Sequence, residues 1–226
     1  MSASAAFSDS EREAVYRAIA ARRDVRRGFL AQPLSEEVLR RLLAAAHTAP
    51  SVGLMQPSRF IVIRDLAVRQ TIHGIFQQSN ADAATAYSGE LRRQYADLKL
   101  EGILEAPQNL CIVCDPQSGR GHKLGRQTMP ETALYSTVCA IQNLWLAARA
   151  EGVGVGWVSI LDPARVRDVL GIPTHLVLVA YLCLGYVESF AAQPELERYG
   201  WESRAPLTEV ISYDRYSETR FGANKA

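Results

Sequence analysis

The spacing of apolar and polar positions divides the chain into helices and strands before any chemistry is considered. Ser8-Asp9-Ser10-Glu11 has the form of a capping box, and Val15, Ala18, Ile19 and Arg22 follow at helical spacing, so a first helix runs to about Arg22. Ser35 caps a second helix, whose acidic Glu36 and Glu37 suit its positive end. Val38, Leu39, Leu42, Leu43 and Ala46 form its buried face, and it stops near Pro50. Residues 60–63 and 110–114 are apolar enough for strands, and residues 66–78 read as a helix between them. From 79 to 105 the sequence is polar, charged and rich in alanine, with weak helical patterning. It reads either as a solvated excursion or as a mobile cover over a site.

Residues 134–150 form the most apolar helix: Leu134, Val138, Ile141, Trp145 and Ala148 repeat at helical spacing, and Cys139, Leu144 and Leu146 widen the face. A helix apolar nearly all round is buried on all sides, which in a chain this size points to a second subunit. Strands at 155–160 and 177–184 follow, with Asp162-Pro163 opening a short helix between them. Past Gly185 comes a tail carrying Tyr199, Trp201, Tyr213 and Tyr216, aromatic residues that need somewhere to bury; wrapping a partner subunit is one solution. No repeat or linker interrupts the pattern, so the expectation is a single α+β domain over residues 1–226.

Composition narrows the function classes. With 226 residues, 48% hydrophobic and 22% charged, the chain can bury one substantial core. A net charge of +1 gives no reason to expect nucleic acid. No run reaches the ~20 apolar residues of a membrane span, the first nine residues lack a signal-peptide pattern, and the cytoplasm is the default location. Cys111 and Cys114 have CxxC spacing but sit in a strand-like run, where i and i+3 face opposite ways, so they read as core residues. The four histidines show no ligand spacing, and no metal is expected.

Three constellations remain. Gly152, Gly154 and Gly156 alternate before Trp157, but they follow a helix and open a strand, the reverse of a dinucleotide fingerprint. They suit close approach of a flat ligand to the backbone. Arg22, Arg23, Arg26 and Arg27 crowd the end of the first helix, where paired planar donors bind phosphate. Asp24 among them would be fixed by its neighbours and serve as polar anchor or proton acceptor. Ala49-Pro50-Ser51-Val52-Gly53-Leu54-Met55-Gln56-Pro57 is a rigid loop in which Ser51 and Gln56 offer hydrogen bonds to a ring with several heteroatoms.

Occurring in this order, and followed by Arg204-Ala205-Pro206-Leu207, these features resemble the nitroreductase-like FMN proteins from about residue 13 to 210. The pattern is most similar to the BluB-type, 5,6-dimethylbenzimidazole synthase branch. The matching segments are Arg22-Arg23-Asp24-Val25-Arg26, Ala49-Pro50-Ser51-Val52-Gly53, Leu98-Lys99-Leu100-Glu101-Gly102-Ile103, and a nearly continuous match over 134–159. Asp24 stands where ordinary nitroreductases usually carry Ser; Ser58 and Arg59 depart from the Trp that many relatives have after Gln-Pro.

The resemblance implies a mainly antiparallel sheet flanked by helices in an intertwined homodimer, with residues 79–105 as a lid and 186–226 wrapping the partner. It implies FMN bound by Arg22, Arg23, Asp24, Val25, Arg26, Pro50, Ser51, Gly53, Gln56, Gly156, Trp157, Ser159 and Arg204. Asp24 and Ser159 would be catalytic. The implied reaction is oxygen-dependent fragmentation of reduced FMN to 5,6-dimethylbenzimidazole with release of erythrose 4-phosphate. A separate flavin reductase would supply the reduced FMN. An NAD(P)H-dependent nitro- or flavin reductase and a non-catalytic FMN-binding protein are the competing readings.

Overall fold

A computed structural model describes residues 6–216; the last ten residues of the expected C-terminal extension lie outside the described residues. Helix α1 (Asp9–Ala21) begins on the predicted box: Ser8 accepts from the Glu11 amide, and the Glu11 carboxylate accepts from Ser8 N–H at 2.8 Å. α2 (Glu36–His47) starts at Ser35, whose hydroxyl accepts from Val38 N–H, and buries Val38, Leu39, Leu42 and Ala46. Then come β1 (Ser58–Ile63), α3 (Leu66–Ala84), α4 (Gly89–Asp97), β2 (Gln108–Cys114), α5 (Thr132–Ala150), β3 (Val153–Val158), α6 (Pro163–Leu170), β4 (Val177–Tyr186) and α7 (Glu195–Arg198).

The four strands form one antiparallel sheet in the order β1-β2-β4-β3. Side-chain alternation gives the sheet two apolar faces. Leu110, Ile112, Leu182 and Leu184 pack with α2 and α5 on one; Cys111, Val113, Tyr181 and Cys183 pack with α3 and α6 on the other. Cys111 and Cys114 are buried free thiols, and burial pushes Cys111 up to about 12. Such a thiol stays protonated and inert near neutrality. Among the described residues there is no cluster of metal-ligating side chains, and no helix is long and apolar enough to cross a membrane.

The structure sharpens three expectations. The α5 stripe that is buried is Ala133, Ser136, Thr137, Ala140, Ile141, Leu144, Trp145 and Ala148. Tyr135 and Val138 are 55% and 43% exposed, because the sheet and α2 cover only one side of the helix. The 79–105 segment is not uniform: α3 extends to Ala84, α4 lies outside, and Ile103 and Ala106 are fully buried in the second core. Only the part around α4 has the loose attachment of a cover. In the tail beyond β4, Trp201 packs on its own chain against Tyr87 and Tyr95, while Tyr213 and Tyr216 are each 84% exposed.

Candidate active site

After α1 the chain straightens and runs beside the outer edge of β3. Val25 N–H donates to Val155 O at 2.9 Å, and Asp24 pairs with Val155 as a parallel bridge. Alternating glycines permit this approach. A Cβ on Gly156 would sit 2.1 Å from Val25 O, and one on Gly154 would sit 2.5 Å from Val187 Cγ1. Close packing of two segments therefore accounts for both glycines, whose partners lie far away in sequence.

The carboxylate of Asp24 is held from two sides. Oδ1 accepts from Trp157 N–H at 2.9 Å, and Oδ2 accepts from Arg26 Nε and Nη2 at 3.0 and 2.6 Å. The side chains of Arg26 and Asp24 are 13% and 29% exposed, so this forked pair is partly desolvated and rigid. Arg26 also donates to Lys99 O at 3.3 Å, reaching the segment that follows α4. There Lys99 lies 2.8 Å from Glu101 and 2.7 Å from Glu105. Burial pulls the Lys99 ammonium down, but hydrogen bonds and charge from the two carboxylates outweigh it and leave it raised.

Arg22 lies over the Trp145 ring, 4.6 Å from its centroid, while Trp145 Nε1 donates to Arg23 O at 3.1 Å. Burial depresses the Arg22 pKa; Asp24 opposes this, and the nearby cations Arg23 and Arg204 add to it. Arg23 lines the same corner, and its side chain also serves the fold. Its guanidinium donates to the carbonyls of Ala20, Arg22, Ala191 and Ala192, stapling the end of α1 to the segment after β4. Arg22, Arg23, Asp24, Arg26 and Arg204, with Pro194, Glu195 and Leu196, line a cavity of about 150 Å³. An adjoining cavity of about 420 Å³ continues past Arg27, Gly28, Glu188 and Ser189. Among the described residues, neither Arg22 nor Arg204 has a carboxylate at ion-pair distance. Two cations without an ion-pair partner, facing a cavity that Asp24 and Glu195 also line, fit a phosphate group.

Ser159 is exposed, two residues beyond Trp157. At about 3.3 Å per residue it lies roughly 7 Å along the strand edge from the amide that holds Asp24. The two predicted catalytic residues thus share an edge without being neighbours.

The Pro50–Gln56 loop lies elsewhere. Its Val52 N–H donates to Ser136 Oγ at 3.0 Å, near the start of α5, whereas the arginine corner meets Trp145 and Arg149 near its end. Ser136 and Trp145 are about 14 Å apart along the axis. Pro50 is exposed; Ser51 Oγ accepts from Gln56 N–H at 3.1 Å. Gly53, Leu54 and Gln56 all have positive φ, and Gly53 interlocks with a second loop: a Cβ on Gly121 would lie 2.4 Å from Gly53 O. Gln56 Oε1 accepts from Arg120 at 2.9 Å, and its amide nitrogen is 3.3 Å from His47 Nε2. Ser58 Oγ donates to Thr137 Oγ1 at 3.3 Å, and Arg59 pairs with Asp115 at 3.4 Å, so the Ser58-Arg59 departure is absorbed locally. The chain therefore does not bring the loop and the corner into one cavity. Sequence reasoning placed Trp145 in the core and missed it as the platform under Arg22. Arg120, which binds Gln56, carried no motif in the sequence to mark it.

Comparison with known proteins agrees with this architecture. A 5,6-dimethylbenzimidazole synthase of Rhodospirillum rubrum is 51% identical over 185 residues, 82% of this chain and 87% of the relative. One of Rhodobacter capsulatus is 42% identical over 200 residues, 88% of this chain and 96% of the relative. Among solved structures, iodotyrosine deiodinase bound to FMN and 3-iodo-L-tyrosine superposes with a TM-score of 0.71 at 22% identity, covering 89% of this chain and all of that one. A BluB-like flavoprotein of Clostridium difficile 630 gives 0.66 at 21% identity, covering 89% and 99%. Residues 19–186 match the nitroreductase family, and the chain belongs to that family.

Proposed function

We propose that this protein is a 5,6-dimethylbenzimidazole synthase, which fragments reduced FMN in the presence of dioxygen and releases erythrose 4-phosphate. The observation that carries the reading is Asp24, a carboxylate fixed by Arg26 and a strand amide at the rim of an arginine-lined cavity. Relatives 51% and 42% identical that bear this name support it.

In this reading Arg22 and Arg204 hold the phosphate of FMN, and β3 lends its outer edge to the ring. Reduced FMN supplies the electrons for dioxygen and is itself the molecule consumed; a separate reductase delivers it. Asp24 accepts or orients a proton at the ribityl side, its orientation set before substrate arrives. Ser159 lies further along the same edge and hydrogen-bonds the flavin. The segment around α4 excludes water. Pro50, Ser51, Gly53 and Gln56 complete the site from a second copy, since within one chain they sit at the other end of α5. The exposed Tyr135 and Val138 on α5 and Val15, Tyr16 and Ile19 on α1 provide the apolar surface for that homodimer.

The test is to mix the protein with chemically reduced FMN, admit air, and assay 5,6-dimethylbenzimidazole by chromatography and mass. Enzyme-dependent product is the expected result. Quantitative return of oxidised FMN with hydrogen peroxide would overturn the reading in favour of a nicotinamide-dependent reductase.

A further inference from the structure

The wall of the anion cavity has a second face. Pro194, Leu196 and Arg204 line the cavity, while Trp201, within the same short stretch, packs on the cover. Its ring meets Tyr87 edge-on, centroids 5.4 Å apart and planes at 83°, and lies 6.1 Å from Tyr95. Tyr87 and Tyr95 stack at 4.8 Å on either side of α4's first turns, and Tyr95 Oη donates to Asn80 Oδ1 at 2.7 Å. Otherwise α4 is thinly attached, for Tyr95 is its one buried residue. The wall itself is stiff: Trp201 N–H donates to Leu196 O at 2.9 Å, and Glu195 pairs with Arg27 at 2.9 Å. Arg204 and Arg22 are like charges in a small cavity, where Asp24 and Glu195 offset them only from its sides. An anion seated between the two guanidiniums would replace their repulsion with attraction and draw the wall inward, and Trp201 with it.

We infer that Trp201 is a positioning residue that ties occupation of the Arg22–Arg204 anion site to the placement of α4 over the cavity. The phosphate of the substrate then governs what the oxygen reaction yields, and not only how tightly the substrate is held. The inference rests on the function proposed above for the identity of the anion. An aromatic contact of this kind biases an equilibrium by about 2- to 12-fold, which is the size of effect to look for.

The decisive measurement is amide hydrogen exchange of residues 89–97 in the full chain, with inorganic phosphate or with chloride at equal ionic strength. Phosphate slows exchange there in the wild type and in Trp201→Phe, and not in Trp201→Ala. Tyr87→Leu, which removes the ring on the other side of the contact, behaves as Trp201→Ala does and guards against a folding defect in that variant. Equal protection in all four proteins, or none in the wild type, overturns the inference. A second arm reads the ratio of benzimidazole to peroxide from reduced FMN. It falls several-fold in Trp201→Ala while FMN affinity weakens by no more than the coupling factor, recovers in Trp201→Phe, and is equally low for wild type given reduced riboflavin, which lacks the phosphate. An unchanged ratio overturns the coupling. If the wild type makes no benzimidazole at all, the proposed function falls and the exchange arm still decides the latch.

Discussion

At the C-terminal end of α5 the polar groups find partners within the chain: Asp24 with Arg26 and Trp157 N–H, Arg23 with four carbonyls, Trp145 with Arg23 O. At the N-terminal end the backbone is contorted instead, with positive φ at Gly53, Leu54 and Gln56 and two loops locked through Gly53 and Gly121. The first region is organised by charge and the second by backbone shape. Charge sites tolerate little change in identity, whereas a shaped loop tolerates side-chain change but not added bulk. A phosphate-bearing, flat-ringed ligand needs both kinds of surface, which is why the two ends belong together in the proposed dimer.

The largest effect is expected from Gly156→Ala. Its new Cβ cannot share space with Val25 O, so the Asp24 segment must leave the strand edge. Overpacking of this kind costs ~1–3 kcal/mol, read as a lowered Tm, and FMN binding and product formation are lost together. A variant with normal Tm and normal product would show that the corner does not depend on that edge. Next comes Asp24→Asn, which keeps the shape and removes the carboxylate. Product formation should drop about 10²–10⁴-fold with FMN affinity nearly unchanged, measured by single-turnover yield and fluorescence titration; a normal rate would remove Asp24 from the chemistry. The smallest signal is also the sharpest for the comparison. Asp24→Asn damages only the corner, and Gly53→Val damages only the loop. Mixed after denaturation and refolding, the two inactive variants should regain about a quarter of wild-type activity, since half of the dimers are mixed and each then has one intact site. No recovery would mean that both regions serve a site within one chain.

How legible all this was in the sequence depended on the range of the interaction. The caps at Ser8 and Ser35 act over three residues, and both were found where the pattern put them. The buried strand with Cys111 followed from its unbroken apolar run. Gly154 and Gly156 were noticed but given a ligand to explain them, because the residues that need their missing Cβ, Val187 and Val25, lie far off in the sequence. Arg23 looked like its neighbours in sequence and could be told apart only once Ala191 and Ala192 were folded beside it. Helical periodicity marked α5 as apolar all round, yet it could not say which side the sheet would take and which would be left open.

That open surface has a consequence for the life of the protein. α1 has no buried residue: Val15 and Ile19 are each 48% exposed, and Tyr16 69%. Hydrogen bonds from Arg149 to Ala21 O and from Arg23 to Ala20 O hold its C-terminal end. A thirteen-residue helix is marginal by itself, so a newly made, unpaired chain presents Arg12 and Arg17 in a segment that frays readily. In the proposed homodimer, pairing would remove that vulnerability by mass action. The steady amount of protein in a cell would then rise more steeply than its rate of synthesis, because each copy helps to protect the next from proteolysis.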